Sequence, residues 1–212
     1  MSKFFIEIGS ADFNTLLPLA KNGWNGIIVE PNTELINNLE VLDNVIYENI
    51  AITDDEGVGV QELKYYDPKT TLGSWRRGVS NLRWGYGTDP VYDIFRRPGN
   101  RHWVKDLRVQ KISCITLDNL LEKHNVEHID FLKVDTEGYE YKIFESYSWN
   151  ILPEILQIEI AHWWNRGITD EQIKEFVLLL ENKGYYISGA ADVVDGQANL
   201  SDNQWVDIYA IR

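Results

Sequence analysis

Phe4-Phe5-Ile6-Glu7-Ile8-Gly9, followed by Gly26-Ile27-Ile28-Val29-Glu30-Pro31, is the pair of stretches that decides the fold. Each is a short run of aromatic and β-branched residues closed by a Gly or a Pro, which reads as a strand buried on both faces. Between them, residues 15–21 read as a helix, with Pro18 tolerated only in its first turn. Beyond them, Asn32 or Thr33 caps a helix over 34–39, and residues 45–52 read as a third strand. Strand, helix, strand, helix, strand with short joints predicts a parallel sheet.

Working outward, the alternation stops at Gly57 and resumes at Ile112. Residues 57–111 read as irregular loops with short strands at their ends. Afterwards Thr116 caps a helix over 117–124, a strand covers 129–134, and a helix covers 139–147. A strand over 155–160 follows. Thr169 and Gln172 form a capping-box pair for a helix ending near Lys183, and Gly184 takes the left-handed position after it. Strands over 185–188 and 206–211 close the chain. The predicted architecture is a single Rossmann-like α/β domain over residues 1–212, with about seven mostly parallel strands, helices on both faces and an irregular insertion at about 57–111.

A net charge of −13 argues against general nucleic-acid binding, because phosphates would be repelled by most of the surface. The charge is uneven, however: between Arg76 and Lys111 stand nine Lys or Arg against three Asp. A single cysteine, Cys114, cannot form an internal disulfide and suits a reducing compartment or indifference to redox state. No apolar run approaches the roughly 20 residues that cross a bilayer, and the Met1-Ser2-Lys3 start lacks a signal peptide's apolar region. The expectation is a cytoplasmic protein with no membrane partner.

Two strand ends carry candidate chemistry. Gly9 ends the first strand, where a glycine lets a ligand approach the backbone, and Glu30 ends the second, where a carboxylate can accept both ribose hydroxyls of an adenosine cofactor. A dinucleotide needs Gly-x-Gly-x-x-Gly to cradle its pyrophosphate. Here the loop has Ala11 and Asn14 in place of those glycines, and Asp12 would repel an anion. An acidic loop with Glu7 and Asp12 suits instead the sulfonium and amino group of S-adenosylmethionine. Further on, Asp135 stands at a strand tip in mid-sheet, where an idle charge is costly. Glu137 beside it is either a substrate contact or a charge favouring a helix N-terminus.

Lys133-Val134-Asp135-Thr136-Glu137-Gly138-Tyr139-Glu140, preceded by Ile115-Thr116-Leu117-Asp118-Asn119-Leu120-Leu121, resembles the signature of the FkbM-type methyltransferase family. Phe5-Ile6-Glu7-Ile8-Gly9, Val29-Glu30-Pro31-Asn32, and Ile50-Ala51-Ile52 followed by Asp54 and Gly57 agree with it. The resemblance implies a class I methyltransferase sheet, S-adenosylmethionine as cofactor and methyl transfer to a hydroxyl. By matching positions, Gly9 with Glu7, Ser10 and Ala11 would hold the methionine part, Glu30 and Pro31 the ribose, and Ala51 and Ile52 the adenine surroundings. The family loop usually reads Asp-x-Gly-Ala-Asn-x-Gly, and Glu7, Ser10, Ala11 and Phe13 depart from it.

Gln157-Ile158-Glu159-Ile160-Ala161-His162 ends the next strand. Asp135, Glu159 and His162 form an oxygen-rich set suited to Mg²⁺ or Mn²⁺. With or without a cation, Asp135 and Glu159 are expected to hold the acceptor hydroxyl and His162 to take its proton. Within the insertion, Arg76, Arg77, Trp84, Arg96, Arg97, His102 and Trp103 offer flat faces for sugar rings and forked donors for hydroxyls. A sugar or glycan is the expected acceptor. The alternatives are an RNA or nucleotide ribose, or a methyltransferase-like binding module without catalysis.

Overall fold

The computed structural model describes residues 2–13, 15–67, 80–81, 107–161, 170–188, 193–194, 197–198 and 205–212. The strands are β1 (Phe4–Ile8), β2 (Asn25–Val29), β3 (Val45–Glu48), β4 (Ala51–Ile52), β5 (Gly59–Tyr66), β6 (Ser80–Asn81) and β7 (Leu107–Ile115). They continue as β8 (Phe131–Val134), β9 (Ile155–Ala161), β10 (Tyr186–Ser188), β11 (Val193–Val194), β12 (Gln197–Ala198) and β13 (Trp205–Ile211). The helices are α1 (Leu17–Lys21), α2 (Thr33–Ile36), α3 (Leu117–Lys123), α4 (Glu140–Ser146) and α5 (Asp170–Asn182).

Seven strands form one sheet in the order β10-β13-β9-β8-β1-β2-β3. β13 runs antiparallel between β9 and β10, while the pairs β1–β2, β2–β3, β1–β8 and β8–β9 are parallel. Alternation along the strands divides the core between two faces. Ile6, Ile8, Ile27 and Val29 pack with Leu120 of α3, Phe144 of α4 and Phe176 of α5. Phe5 and Ile28 pack on the other face with Leu17 of α1 and Ile36 of α2. The predicted mostly parallel, doubly covered sheet is therefore present.

The helix starts follow their caps. Asn32 accepts the Glu34 N–H at 2.9 Å, Thr116 accepts the Asn119 N–H at 3.1 Å, and Pro18 sits in the first turn of α1. Gly184, at φ 90°, takes the left-handed position after α5. Thr169, its expected capping partner, lies outside the described residues.

Two expectations need correction. Residues 45–52 are not one strand: β3 belongs to the main sheet and β4 to a second sheet, ordered β4-β7-β5-β6. The break falls at Asn49, whose side-chain amide donates to the Glu30 and Pro31 carbonyls at 2.9 Å each and turns the chain away from β2. The ends of the 57–111 segment are also not short strands. β5 and β7 pair antiparallel from Gly59 opposite Cys114 to Tyr66 opposite Leu107. Their inward face buries Leu63, Tyr65, Ile112 and Cys114 against Ala51. The outward face leaves Val60 and Val109 exposed, so the polar–apolar contrast that marks a half-buried strand is blurred. No described helix is long and apolar enough to cross a membrane.

Candidate cofactor and acceptor site

The chain leaves β1 toward β2 and β3 on one side and returns on the other to β8. The carboxyl ends of β1 and β8 therefore meet at the point where strand order reverses, the place where α/β sheets bind ligands. Gly9 donates its N–H to the Val29 carbonyl at 2.8 Å, and Asp135 donates its N–H to the Ile8 carbonyl at 2.9 Å. Three strand ends are thus tied together. Gly9 has φ 80°, and a Cβ there would lie 1.7 Å from the Asp135 carbonyl oxygen. Only glycine fits this approach without displacing the backbone.

Glu30 is 3% exposed, and each of its oxygens accepts a backbone N–H at 2.8 Å, one from Ala11 and one from Asn32. Ala11 is in the left-handed region at φ 48°. Glu30 therefore shapes the loop after β1 as well as ending β2. Burial pushes its carboxyl up to about 7, against the pull of those two N–H groups. From the second sheet, Gln110 donates to the Pro31 carbonyl at 2.5 Å and braces the same loop.

The turn after β8 is equally constrained. Glu137 and Gly138 are consecutive left-handed residues at φ 57° and 111°. The buried Glu140 carboxylate holds them, accepting the Thr136 N–H at 2.6 Å, the Thr136 hydroxyl at 2.9 Å and the Gly138 N–H at 3.1 Å. Burial pushes Glu140 up to about 7. Glu137 is held well above the ordinary carboxyl value by burial and by the nearby charges of Asp135, Glu159 and Glu140, and its Oε2 has no hydrogen-bond partner. A strained backbone position whose side chain carries an unsatisfied oxygen beside a pocket is what a ligand contact looks like before its ligand arrives.

Tyr139 connects this turn to the second sheet. Its hydroxyl donates to Asp54 at 3.1 Å and accepts from Thr53 at 3.3 Å, while Asp54 also receives the Gly57 N–H at 2.9 Å. A Cβ on Gly57 would fall 1.9 Å from the Thr53 hydroxyl oxygen.

These elements line a pocket that opens to solvent. The anticipated Gly9, Ala11, Glu30, Pro31, Ala51, Ile52, Asp135 and Glu137 all line it. Glu7 and Ser10 are buried but do not line it. Sequence reasoning missed Ile8, Phe13, Val29, Leu63, Thr136 and Tyr139 as lining residues. Leu63 had no local signal, because only the β5–β7 pairing turns it inward. Tyr139 and Thr136 lay inside the Asp-Thr-Glu-Gly-Tyr-Glu stretch already singled out.

The lining combines the carboxyls of Glu30, Asp135 and Glu137 with apolar side chains, and has no Lys or Arg among the described residues. That donor set fits a ligand with a positive charge and a flat apolar ring, and it disfavours a pyrophosphate. It thus fits S-adenosylmethionine. The expected cation set is a different case. Among the described residues no group of three His, Cys, Asp or Glu is placed to hold a metal. The Lys133 ammonium stands 3.0 Å from Asp135 Oδ2. His162 lies outside the described residues, as do Arg76, Arg77, Trp84, Arg96, Arg97, His102 and Trp103.

The sequence pattern of the Methyltransferase FkbM domain matches residues 5–187. No curated protein matches the chain. Among solved structures, a chain in the crystal structure of a fibrillarin/Nop5p complex is similar at a TM-score of 0.49 and 13% identity, over 100% of this chain and 73% of that one.

Proposed function

The chain belongs to the FkbM methyltransferase family, and from that premise we propose that it methylates a hydroxyl group, most plainly one on a sugar or glycan. The observation that carries this reading is the pocket at Gly9, lined by Glu30 from the β2 side and Asp135 from the β8 side, with no basic lining among the described residues. Glu30 is assigned the ribose hydroxyls, and Pro31, Ala51, Ile52 and Leu63 the adenine. Asp135 is assigned the amino group of the methionine part. When bound, S-adenosylmethionine supplies a methyl carbon on a positively charged sulfur, open to attack by an oxygen lone pair.

The protein's own work is to hold an acceptor oxygen in line and to relieve it of a proton. Glu159 follows Ile158, which is opposite Val134, so Glu159, still within β9, stands level with Asp135 just past the end of β8. Glu159 is assigned the acceptor hydroxyl and His162 its proton. Glu137, with its unsatisfied Oε2, is assigned a second hydroxyl of the acceptor. The arginines and aromatics of residues 76–103 are assigned the remainder of the sugar. A neutral acceptor agrees with carboxyls at this edge, where an anionic one would be repelled.

Calorimetric titration with S-adenosylhomocysteine, with NAD as control, tests the cofactor reading. Micromolar binding of the first alone is expected, equal in Mg²⁺ and in EDTA. No binding in either buffer would return the chain to the class of non-catalytic binding modules. The acceptor reading is tested by replacing Arg76, Arg77, Arg96 and Arg97 with Ala. Loss of methyl transfer to a panel of sugars with S-adenosylhomocysteine binding intact is expected, and equal loss of both would make the insertion structural. Acceptor affinity that falls steeply with salt would favour an RNA ribose instead.

A further inference from the structure

Lys133 lies on β8 with only 6% of its surface exposed. It stands opposite Glu7 of β1 in the parallel register and two residues before Asp135, so the Lys133 and Asp135 side chains leave the same face of the sheet. Its Nζ is 3.0 Å from Asp135 Oδ2 and 3.8 Å from Glu7 Oε1. Glu7 is fully buried and anchored in turn, its Oε2 accepting the Leu16 N–H at 3.1 Å. The ammonium therefore hydrogen-bonds Asp135 and stands at ion-pair distance from Glu7, whose Oε1 has no hydrogen-bond partner.

Burial works against the lysine's charge, but Asp135 and Glu7 outweigh it and hold the group above its ordinary value. Packing alone gives no reason for this arrangement, because an apolar residue in place of a buried ion pair is often neutral or stabilising. Its consequence is at Asp135, the only member of the three that lines the pocket. Asp135 and Glu30 end strands on opposite sides of β1, roughly 10 Å apart at the usual spacing of about 4.8 Å per strand. They address opposite ends of a ligand as long as an adenosyl amino acid.

We propose that Lys133 is a positioning residue, held by the buried charge of Glu7 so that its hydrogen bond aims the Asp135 carboxylate at the amino-acid end of the bound cofactor. The inference rests on Asp135 receiving that amino group.

The test compares two probes by calorimetry: S-adenosylhomocysteine, and 5′-methylthioadenosine, which lacks the amino-acid end. Lys133→Met is expected to weaken S-adenosylhomocysteine by about tenfold, the scale of one charge-assisted hydrogen bond, and to leave 5′-methylthioadenosine within about twofold. Lys133→Arg restores binding to within about threefold. On an Asp135→Asn background, Lys133→Met adds less than about twofold, because the two residues act as one unit. Should Lys133→Met fail to fold, Glu7→Gln/Lys133→Met removes both buried charges together and is expected to show the same selective loss. Unchanged S-adenosylhomocysteine binding, equal loss of both probes, or losses at 133 and 135 that multiply would each overturn the proposal while leaving the cofactor reading intact. Absence of S-adenosylhomocysteine binding in the unaltered protein would overturn both.

Discussion

Gly9 and Asp135 meet backbone to backbone: a Cβ on Gly9 would lie 1.7 Å from the Asp135 carbonyl oxygen, with its next contact 2.7 Å away on the same carbonyl carbon. The obstacle is main chain in two paired strands, which has no free rotor to move aside. The close approach of β1 and β8 thereby brings the two halves of the pocket together.

Gly9→Ala is accordingly expected to be poorly tolerated. Overpacking of this kind costs about 1–3 kcal/mol, and the left-handed φ of 80° adds strain that only glycine escapes. Thermal unfolding should show a drop of several degrees, and S-adenosylhomocysteine binding should be lost at temperatures where the protein remains folded. Wild-type values for both would mean that β1 and β8 are not in this contact.

Proton binding should set stability and affinity against each other. Burial pushes Glu30 and Glu140 up to about 7 from an ordinary value of 4.5, so the folded protein holds protons that the unfolded chain releases. The stabilisation is complete below about 4.5 and is lost as the pH rises through 7. Glu7 and Glu137 are raised as well and act with the same sign. The denaturation midpoint of the ligand-free protein should therefore fall between pH 6 and pH 8, and Glu30→Gln or Glu140→Gln should each flatten that slope. Ribose binding by an ionised Glu30 predicts the reverse for affinity, a gain of about tenfold over the same interval. Parallel trends in the two measurements would contradict the role given to Glu30.

Tyr139→Phe keeps the ring in the pocket wall and removes the hydroxyl that joins Asp54 and Thr53. Loss of these hydrogen bonds should cost about 1–2 kcal/mol, a fall in Tm of roughly 2–8 °C for a chain of this size. Asp54→Ala should cost more, because it also leaves the Gly57 N–H without its side-chain acceptor. Equal stability of Tyr139→Phe and the unaltered protein in a thermal scan would remove the link between the two sheets.

Cys114 is 1% exposed, and burial pushes its thiol up to about 11. A thiol so placed is neither accessible nor ionised at neutral pH, so a disulfide reagent should label it only after denaturant is added. Stoichiometric labelling of the native protein within minutes would show that the β5–β7 face opens.

Much of the site was legible before any tertiary contact was known, for a local reason. Strand ends announce themselves by an apolar run that stops, and a polar residue at such a stop in an α/β pattern stands at the ligand-binding edge. Gly9, Glu30 and Asp135 are readable on that ground alone. The same holds for the caps at Asn32 and Thr116, whose partners lie within three residues.

What could not be read depends on which distant strands lie side by side. Val45 and Ile52 look like parts of one strand, because nothing local separates them; the separation comes from the Asn49 amide engaging carbonyls 18 and 19 residues earlier. β5 looked irregular because its partner begins more than 40 residues later. Glu7 looked like a cofactor ligand, and nothing local tied it to Lys133, until the β1–β8 register placed the two opposite each other across 126 residues. Hydrophobic periodicity reports how a segment meets its own surroundings, whereas register is a property of two segments together. A pattern within a single stretch therefore determines the strands and their polar tips, and only the pairing of strands determines which buried charges meet.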